Sequence, residues 1–334
     1  MFHAPLIAAA PGLRLATIVT ASGERAERAR REHPDAHVVP RVAELWERAG
    51  DHELVVIATP NRTHVELAQA ALEAGLAVVV DKPLAASAEA GRRLAALARE
   101  RGLLLTVFHN RRLDGDMLTV RRLIGDGALG RVLRFESRFE RWRPKLAEGA
   151  WRELASPEEA GGVLFDLGTH LIDQALVLFG SAGHVYAELD SRRPGAQVDD
   201  DAFVALSHLS GVRSHLWMSQ TAAQPGPRLR VLGSEAAYVK WGLDGQEAAL
   251  KQRVRPGEPD WGREPPELWG SLGAGGETMP VETEPGDYPR FYAELAAALR
   301  DGGPPPVDPA DGVAVLEVIE AAVESARAGR TVVL

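Results

Sequence analysis

Short apolar runs that do not alternate with polar residues, each set between charged helical stretches, constrain this chain more than any other feature. The clearest is Leu54-Val55-Val56-Ile57-Ala58, bounded by Thr59-Pro60-Asn61. Further strands are expected at 13–20, 77–80 and 103–107, with a short extended piece at 37–39. An unbroken apolar run of this length fits a strand buried on both faces of a parallel sheet. Helical stretches at 24–32, 63–74 and 87–101, and one ending near Gly50, fall between them, with Gly75 as a C-cap. Repeated βα units predict a Rossmann-type, doubly wound α/β domain, whose ligand lies at the carboxyl ends of the strands. Thr59-Pro60-Asn61, Lys82-Pro83 and His109-Asn110 all fall at such ends.

The pattern changes after residue 112, which sets the expected boundary between domains at 1–112 and 113–334. A helix running to Gly125 leads to an alternating strand at 132–140 with one solvated face. Further strands are expected at 184–190, 202–209, 213–219 and 228–232, joined by short connections. They predict an α+β domain with an open, mostly antiparallel sheet, one face on helices and the other free for a second copy, as a homodimer or homotetramer. Residues 247–280, rich in Gly, Pro and Trp, read as a long loop. Closing helices are expected at 291–299 and 313–328, the last of them (about 310–328) returning to the first domain.

Between these blocks lies Gly161-Gly162-Val163-Leu164-Phe165-Asp166-Leu167-Gly168-Thr169-His170-Leu171-Ile172-Asp173. On a helix Asp166 and His170 share a face, and a carboxylate beside an imidazole fixes its tautomer and raises its basicity. A capping Asp and a satisfied core His explain the same spacing. A net charge of -9 argues against nucleic acid or an anionic membrane as partner. The chain has no cysteine, so disulfides and thiolate chemistry are excluded. No apolar run reaches the length of a membrane span and no leader is expected, which points to the cytoplasm. No His/Asp/Glu spacing suits a metal.

Asp81-Lys82-Pro83 and Asp166-Leu167-Gly168-Thr169-His170 resemble the paired motifs of the Gfo/Idh/MocA oxidoreductases. That family joins a nucleotide-binding domain with a Glu-Lys-Pro motif to an open-sheet domain carrying Asp-x-x-x-His. Phe2-His3-Ala4-Pro5-Leu6, His109-Asn110-Arg111-Arg112, 168–174 and 239–247 are similar to its NADP-dependent scyllo-inositol dehydrogenases. Asp81 replaces the usual Glu, with the charge kept. The family's first strand and glycine turn have no counterpart ahead of Phe2, so a start upstream of Met1 is expected. Without that strand, those at 13–20 and 54–58 lack a shared neighbour, and the pyrophosphate lacks its cradle.

The resemblance implies hydride transfer between a nicotinamide cofactor and a cyclic polyol or sugar, scyllo-inositol first among them. His170 is then the base, Asp166 orients it and touches a substrate hydroxyl, and Lys82 hydrogen-bonds the reacting oxygen. The strand leading to Thr20-Ala21-Ser22-Gly23-Glu24-Arg25 ends without the acid that NAD-preferring domains place there. Ser22 and Arg25 suit a 2′-phosphate, which favours NADP over NAD, with Glu24 the opposing feature. Thr59, Pro60, Asn61 and His64 are expected along the cofactor, beside Asp81, Lys82 and Pro83, with Asn110 near the nicotinamide ribose. His64 also fits an ordinary helix start. Candidate substrate residues are His109, Arg111, Arg152 and Asp173, with Arg112, Trp142, Trp151 and Tyr288 as further possibilities; Asp173 equally suits an arginine partner. His208 and His215 read as structural. Two other functions fit the pattern: a dehydrogenase for another sugar, and a non-catalytic dinucleotide-binding regulator.

Overall fold

The structure, a computed structural model, describes residues 2–146 and 160–334. Five short parallel strands form the first layer: β1 (Thr17–Val19), β2 (His37–Val39), β3 (Leu54–Ile57), β4 (Ala77–Asp81) and β5 (Leu105–Phe108). Residues 78–80 of β4 and all of β5 are buried, as unbroken apolar runs require. Helices α1 (His3–Ala9), α2 (Gly23–Glu32), α3 (Val42–Trp46), α4 (His64–Glu73) and α5 (Ala88–Arg101) alternate with them. Ser22 and Ser87 cap α2 and α5 through their side chains, and Gly75 and Gly102 reverse the chain at positive φ.

The five strands do not form one sheet. β1 pairs only with β2, and β3-β4-β5 pair among themselves. A cavity of about 700 Å³ separates the facing edges of β1 and β3, lined by Ile18, Trp46, Val55 and Ile57 among others. The strands at 13–20 and 54–58 thus lack a shared neighbour, as the sequence led us to expect. A side-chain bond from His52 Nε2 to Thr17 Oγ1 (2.8 Å) links the two sides.

The second layer is a nine-stranded sheet in the order β13-β12-β11-β10-β6-β9-β8-β7-β14. Its strands are β6 (Val132–Glu140), β7 (Ala182–Asp190), β8 (Asp201–His208), β9 (Arg213–Ser219), β10 (Leu229–Gly233), β11 (Ala237–Lys240), β12 (Gly270–Ala274), β13 (Glu277–Val281) and β14 (Val332–Val333). All neighbours are antiparallel except β6 and β9. Residues 247–280 are therefore not the expected loop: they hold β12, β13 and part of α8 (Gln246–Lys251). β12 and β13 escape an apolarity reading because β13 is exposed along most of its length and β12 is rich in glycine. Leu216, Met218, Val204 and Leu206 point to the helix-covered face, while Phe203, His215 and Trp217 lie half-buried on the other.

Helices α6 (Gly115–Gly125), α7 (Thr169–Phe179), α9 (Tyr288–Asp301) and α10 (Pro309–Ala328) complete the chain. α10 runs back along α5: Gly91 faces Val313 and Leu316, and Gly312 faces Leu84 and Val107, where a side chain would crowd the contact. Among the described residues no helix is long and apolar enough to cross a membrane.

Candidate active site

The site gathers where β4 and β5 end beneath α7. β4 is buried through Val80 and delivers Asp81-Lys82-Pro83, with a cis Lys82–Pro83 bond. The Lys82 ammonium, 11% exposed, donates to Asp166 Oδ1 at 2.8 Å and also to the Asp166 carbonyl. One residue of the first layer is thereby fixed to the second. Asp166 lies in one turn of π-helix, Leu164–Gly168, which flows into α7 and its His170. Such wide turns collect at functional sites.

Asp199 holds that turn in place. It takes the Leu164 amide at 2.7 Å, and a Cβ on Gly162 (φ +91°) would stand 2.1 Å from its oxygen. Burial raises the Asp199 carboxyl to about 6, against its backbone hydrogen bonds. No motif marks this residue, because it acts from a loop 33 positions beyond Asp166 and only the fold brings them together.

The expected Asp166–His170 pairing does not form. The carboxylate turns to Lys82, and no bond between the two is seen among the described residues. His170 is nearly buried, and its Nδ1 is sealed without a partner. Burial lowers its pKa well below the usual histidine value, and the charges of Lys82 and Arg111 press the same way. The ring is therefore neutral at neutral pH, the state a base needs. Phe139 of β6 packs edge-on to it, with centroids 6.2 Å apart.

Around this pair the candidates separate. Arg111 is buried, donates to Glu247 at 2.7 Å, and stands over the Phe139 ring at 5.3 Å. His109 is buried 3.8 Å from Asp173, and burial lowers its pKa. Asp173 grips the Arg112 fork at 2.6 and 2.9 Å and is itself 1% exposed. Of the two roles open to it, arginine pairing is the one seen here. Arg112 reaches on to Asp311 of α10. Tyr288 is fully buried and donates to Asp114, whose carboxyl burial pushes up to about 8 despite Arg111. Trp142 is 57% exposed. Trp151 and Arg152 lie outside the described residues. Arg228 escaped the sequence reading: it is buried, stacks on Phe139 at 4.2 Å and bonds Ser137 and Gln174.

The cofactor candidates fall along the strand ends. Ser22 sits past β1, its oxygen accepting the Arg25 amide at 3.4 Å. Thr59 and Pro60 follow β3. Asn61 crosses to the Ala160 carbonyl at 3.0 Å, and Asn110 opens the turn after β5. His64 differs from expectation. Fully buried, its ring nitrogens meet the carbonyls of Pro83 (2.8 Å) and Thr59 (3.0 Å), so it braces two strand ends rather than facing a ligand. Asp81 is pushed up by burial, yet its hydrogen bond and charge from His3, with Lys82 and His64, hold it at about 2. Hydroxyls, amides and a cation at these ends form a donor set that fits a dinucleotide laid along the strand ends.

Residues 1–109 match the family model described as "Oxidoreductase family, NAD-binding Rossmann fold", and residues 121–334 match "Oxidoreductase family, C-terminal alpha/beta domain" of the GFO_IDH_MocA group. The scyllo-inositol 2-dehydrogenase (NADP(+)) IolW of Bacillus subtilis is 35% identical over all of this chain and 92% of its own length. An uncharacterized oxidoreductase of Escherichia coli, YdgJ, is 41% identical over all of this chain and 94% of its own. The solved structure of the Bacillus subtilis oxidoreductase yvaA superposes with a TM-score of 0.93 at 35% identity. It covers all of this chain and 94% of that one.

Proposed function

The chain belongs to the Gfo/Idh/MocA oxidoreductases, and from that premise we propose that it oxidises a cyclic polyol with NADP, scyllo-inositol being the first substrate to test. The observation that carries this reading is the Lys82–Asp166 bond beside a neutral, buried His170 at the end of β4. NADP in preference to NAD rests on Ser22 and Arg25 beyond β1, where no carboxylate ends the strand, and on the similarity to IolW.

Ser22 and Arg25 hold the 2′-phosphate; Thr59, Pro60, Asn61, Asp81, Pro83 and Asn110 line the rest of the dinucleotide. Bound there, the nicotinamide supplies the hydride acceptor. The chain's own residues do the remainder. With Nδ1 sealed, His170 takes the hydroxyl proton through Nε2. Lys82 donates to the reacting oxygen and steadies the charge that grows on it, which lowers the barrier by about 3–4 kcal/mol in comparable sites. Asp166 keeps the lysine aimed and accepts from a neighbouring hydroxyl. His109 and Arg111 close the polar wall.

Wild type and Lys82→Met, each incubated with NADP and scyllo-inositol, myo-inositol and several aldoses, test this by NADPH absorbance. Turnover by wild type and a loss of about 100–1000-fold in the variant, with cofactor affinity kept, support the reading. Preference for an aldose would reassign the substrate. Nucleotide binding without turnover on any of them would point to a regulator instead. We also assign the face bearing Phe203, His215 and Trp217 to a second copy of the chain. Trp217→Glu is then expected to lower the mass found by light scattering, and an unchanged mass would refute that assignment.

A further inference from the structure

Most described cations around the reaction centre are matched by carboxylates or amides. Lys82 meets Asp166, Arg111 meets Glu247, Arg112 meets Asp173, and Arg228 meets Gln174 with Asp116 at 3.3 Å. Arg141, half-buried just past β6, makes no side-chain hydrogen bond or ion pair among the described residues. Its backbone is nonetheless pinned: the amide donates to the Ser219 carbonyl at 2.8 Å, and its own carbonyl accepts from Ala222 at 3.1 Å.

That pinning sets the face from which the side chain leaves the backbone. Alternation along β6 sends Phe135, Ser137 and Phe139 to the buried face, and Arg141 follows Phe139 on it, while the neighbouring Trp142 goes outward. Phe139 carries His170 against its edge and Arg111 and Arg228 on its ring. Arg141 therefore emerges one pleat beyond the wall of the reaction centre. Burial and Arg143 press its pKa down, while Asp166 and Glu247 press it up, which puts those two carboxylates within its electrostatic reach. A guanidinium stays charged through such shifts. A charged fork on a pinned backbone, with no partner among the described residues, is a site for two adjacent oxygen atoms of a ligand.

We propose that Arg141 is a substrate-binding and specificity-determining residue whose guanidinium takes two adjacent hydroxyl oxygens of the polyol, away from the reacting carbon. The proposal rests on the polyol reading above and extends it to a residue that no motif picks out. A polyol with neighbouring hydroxyls offers the paired acceptors that the fork needs. A substrate lacking them leaves a desolvated cation without partners, so discrimination follows from the same contact.

The full-length protein, wild type and as Arg141→Met and Arg141→Lys, is assayed with NADP, the best polyol, and analogues of that polyol lacking one hydroxyl each. Methionine keeps the apolar stem, and lysine keeps the charge while losing the fork. In Arg141→Met, KM for the polyol is expected to rise about 10–100-fold with kcat changed less, KM for NADP to stay within about twofold, and the melting temperature to hold. Lysine should recover part of that loss. Two of the deoxy analogues should be poor substrates for wild type yet equal to the parent for Arg141→Met. Wild-type turnover with an unchanged polyol KM in the variant, or deoxy penalties that persist in it, overturns the proposal alone. A stronger preference for a sugar acid, lost in Arg141→Met, assigns the fork to a carboxylate and overturns the diol. No polyol turnover by wild type overturns the substrate reading and this one together.

Discussion

The two layers of this molecule meet at one site and are built on opposite terms. The first layer has five strands of three to five residues, split into two parallel groups across a cavity of about 700 Å³. The second is a continuous sheet of nine strands, seven of which pair along five or more residues. Short parallel strands are suited to delivering chain ends, and they deliver Lys82, His109 and Asn110 to one place. The long sheet supplies rigidity, and through Phe139 of β6, with Asp199 just ahead of β8 and Arg228 just ahead of β10, it fixes the π-turn and α7 that carry Asp166 and His170. Catalytic geometry then depends on how well a loosely tied layer is held against a stiff one, and the Lys82–Asp166 bond is the join.

The severest challenge to that contrast compares two glycines. Gly162 has φ +91° and its Cβ would meet Asp199 at 2.1 Å, while Gly75 has φ +81° with nothing within 4 Å. Gly162→Ala is expected to shift the turn bearing Asp166, cutting kcat/KM about 100-fold and costing about 2–4 kcal/mol in denaturant unfolding. Gly75→Ala should cost only about 1 kcal/mol of backbone strain, with activity kept. Equal activity losses in the two variants would remove the privileged standing of the second layer.

Hydrogen exchange sharpens the same contrast without substitution. β1 pairs on one edge only and Val19 is exposed, whereas β8 pairs on both edges and buries every second side chain. Amides of Ile18 and Val19 are expected to exchange at least about tenfold faster than those of Val204 and Leu206. Matching protection factors would mean that β1 is tied more firmly than its hydrogen bonds indicate.

The layers also differ in how much of each could be read from sequence. The strands at 54–57 and 77–80 announce themselves as unbroken apolar runs, although burial on both faces holds only for the second, since β3 lines the cavity. β6 and β9 do so through alternation. β12 and β13 do not, since Gly270, Gly273 and exposed Met279 give neither signal. At the site, Lys82, Asp166 and His170 were legible as motifs, yet their partners were not. An i,i+4 spacing predicted Asp166 against His170, but a long-range cation competes for the same carboxylate and wins at 2.8 Å. Asp173 and His64 looked like ligand groups because a polar side chain at a strand end or helix face carries no mark of what it touches. Asp199, Arg228 and Arg141 lie outside every motif and join the site only through packing.

A smaller effect concerns pH. Unfolded, His170 titrates near 6.5, and in the fold burial and cations lower it well below that value. Between those two pKa values the unfolded chain binds the extra proton, so stability is fully present above pH 6.5 and falls as pH drops through the window beneath it. His170→Gln removes that contribution. Its destabilisation relative to wild type is expected to be larger at pH 8 than at pH 5 in urea unfolding. A difference of opposite sign would mean that the folded protein holds His170 protonated, and the base assigned to the second layer would be wrong.

The mildest test goes to the tie across the gap. Thr17 Oγ1 and His52 Nε2, 2.8 Å apart, join β1 to the segment leading into β3, with the pair only part-buried. Thr17→Val keeps the shape of a β-branched strand residue and removes the hydroxyl, at an expected cost of about 0.5–1 kcal/mol. The equivalent deletion in the large sheet is Ser214→Ala, which strips Nε2 of buried His208 of its partner at 2.8 Å. A buried nitrogen left unmatched costs about 1–3 kcal/mol, so this loss should be the greater of the two. The exchange pattern should separate them further. Thr17→Val should speed exchange in β1 and β2 while leaving β8 untouched, whereas Ser214→Ala should raise exchange through β8 and β9 together, because a continuous sheet shares its losses and a divided one confines them. Fast exchange spreading from β1 into β3 and β4 in Thr17→Val would show that the two parallel groups already behave as one unit.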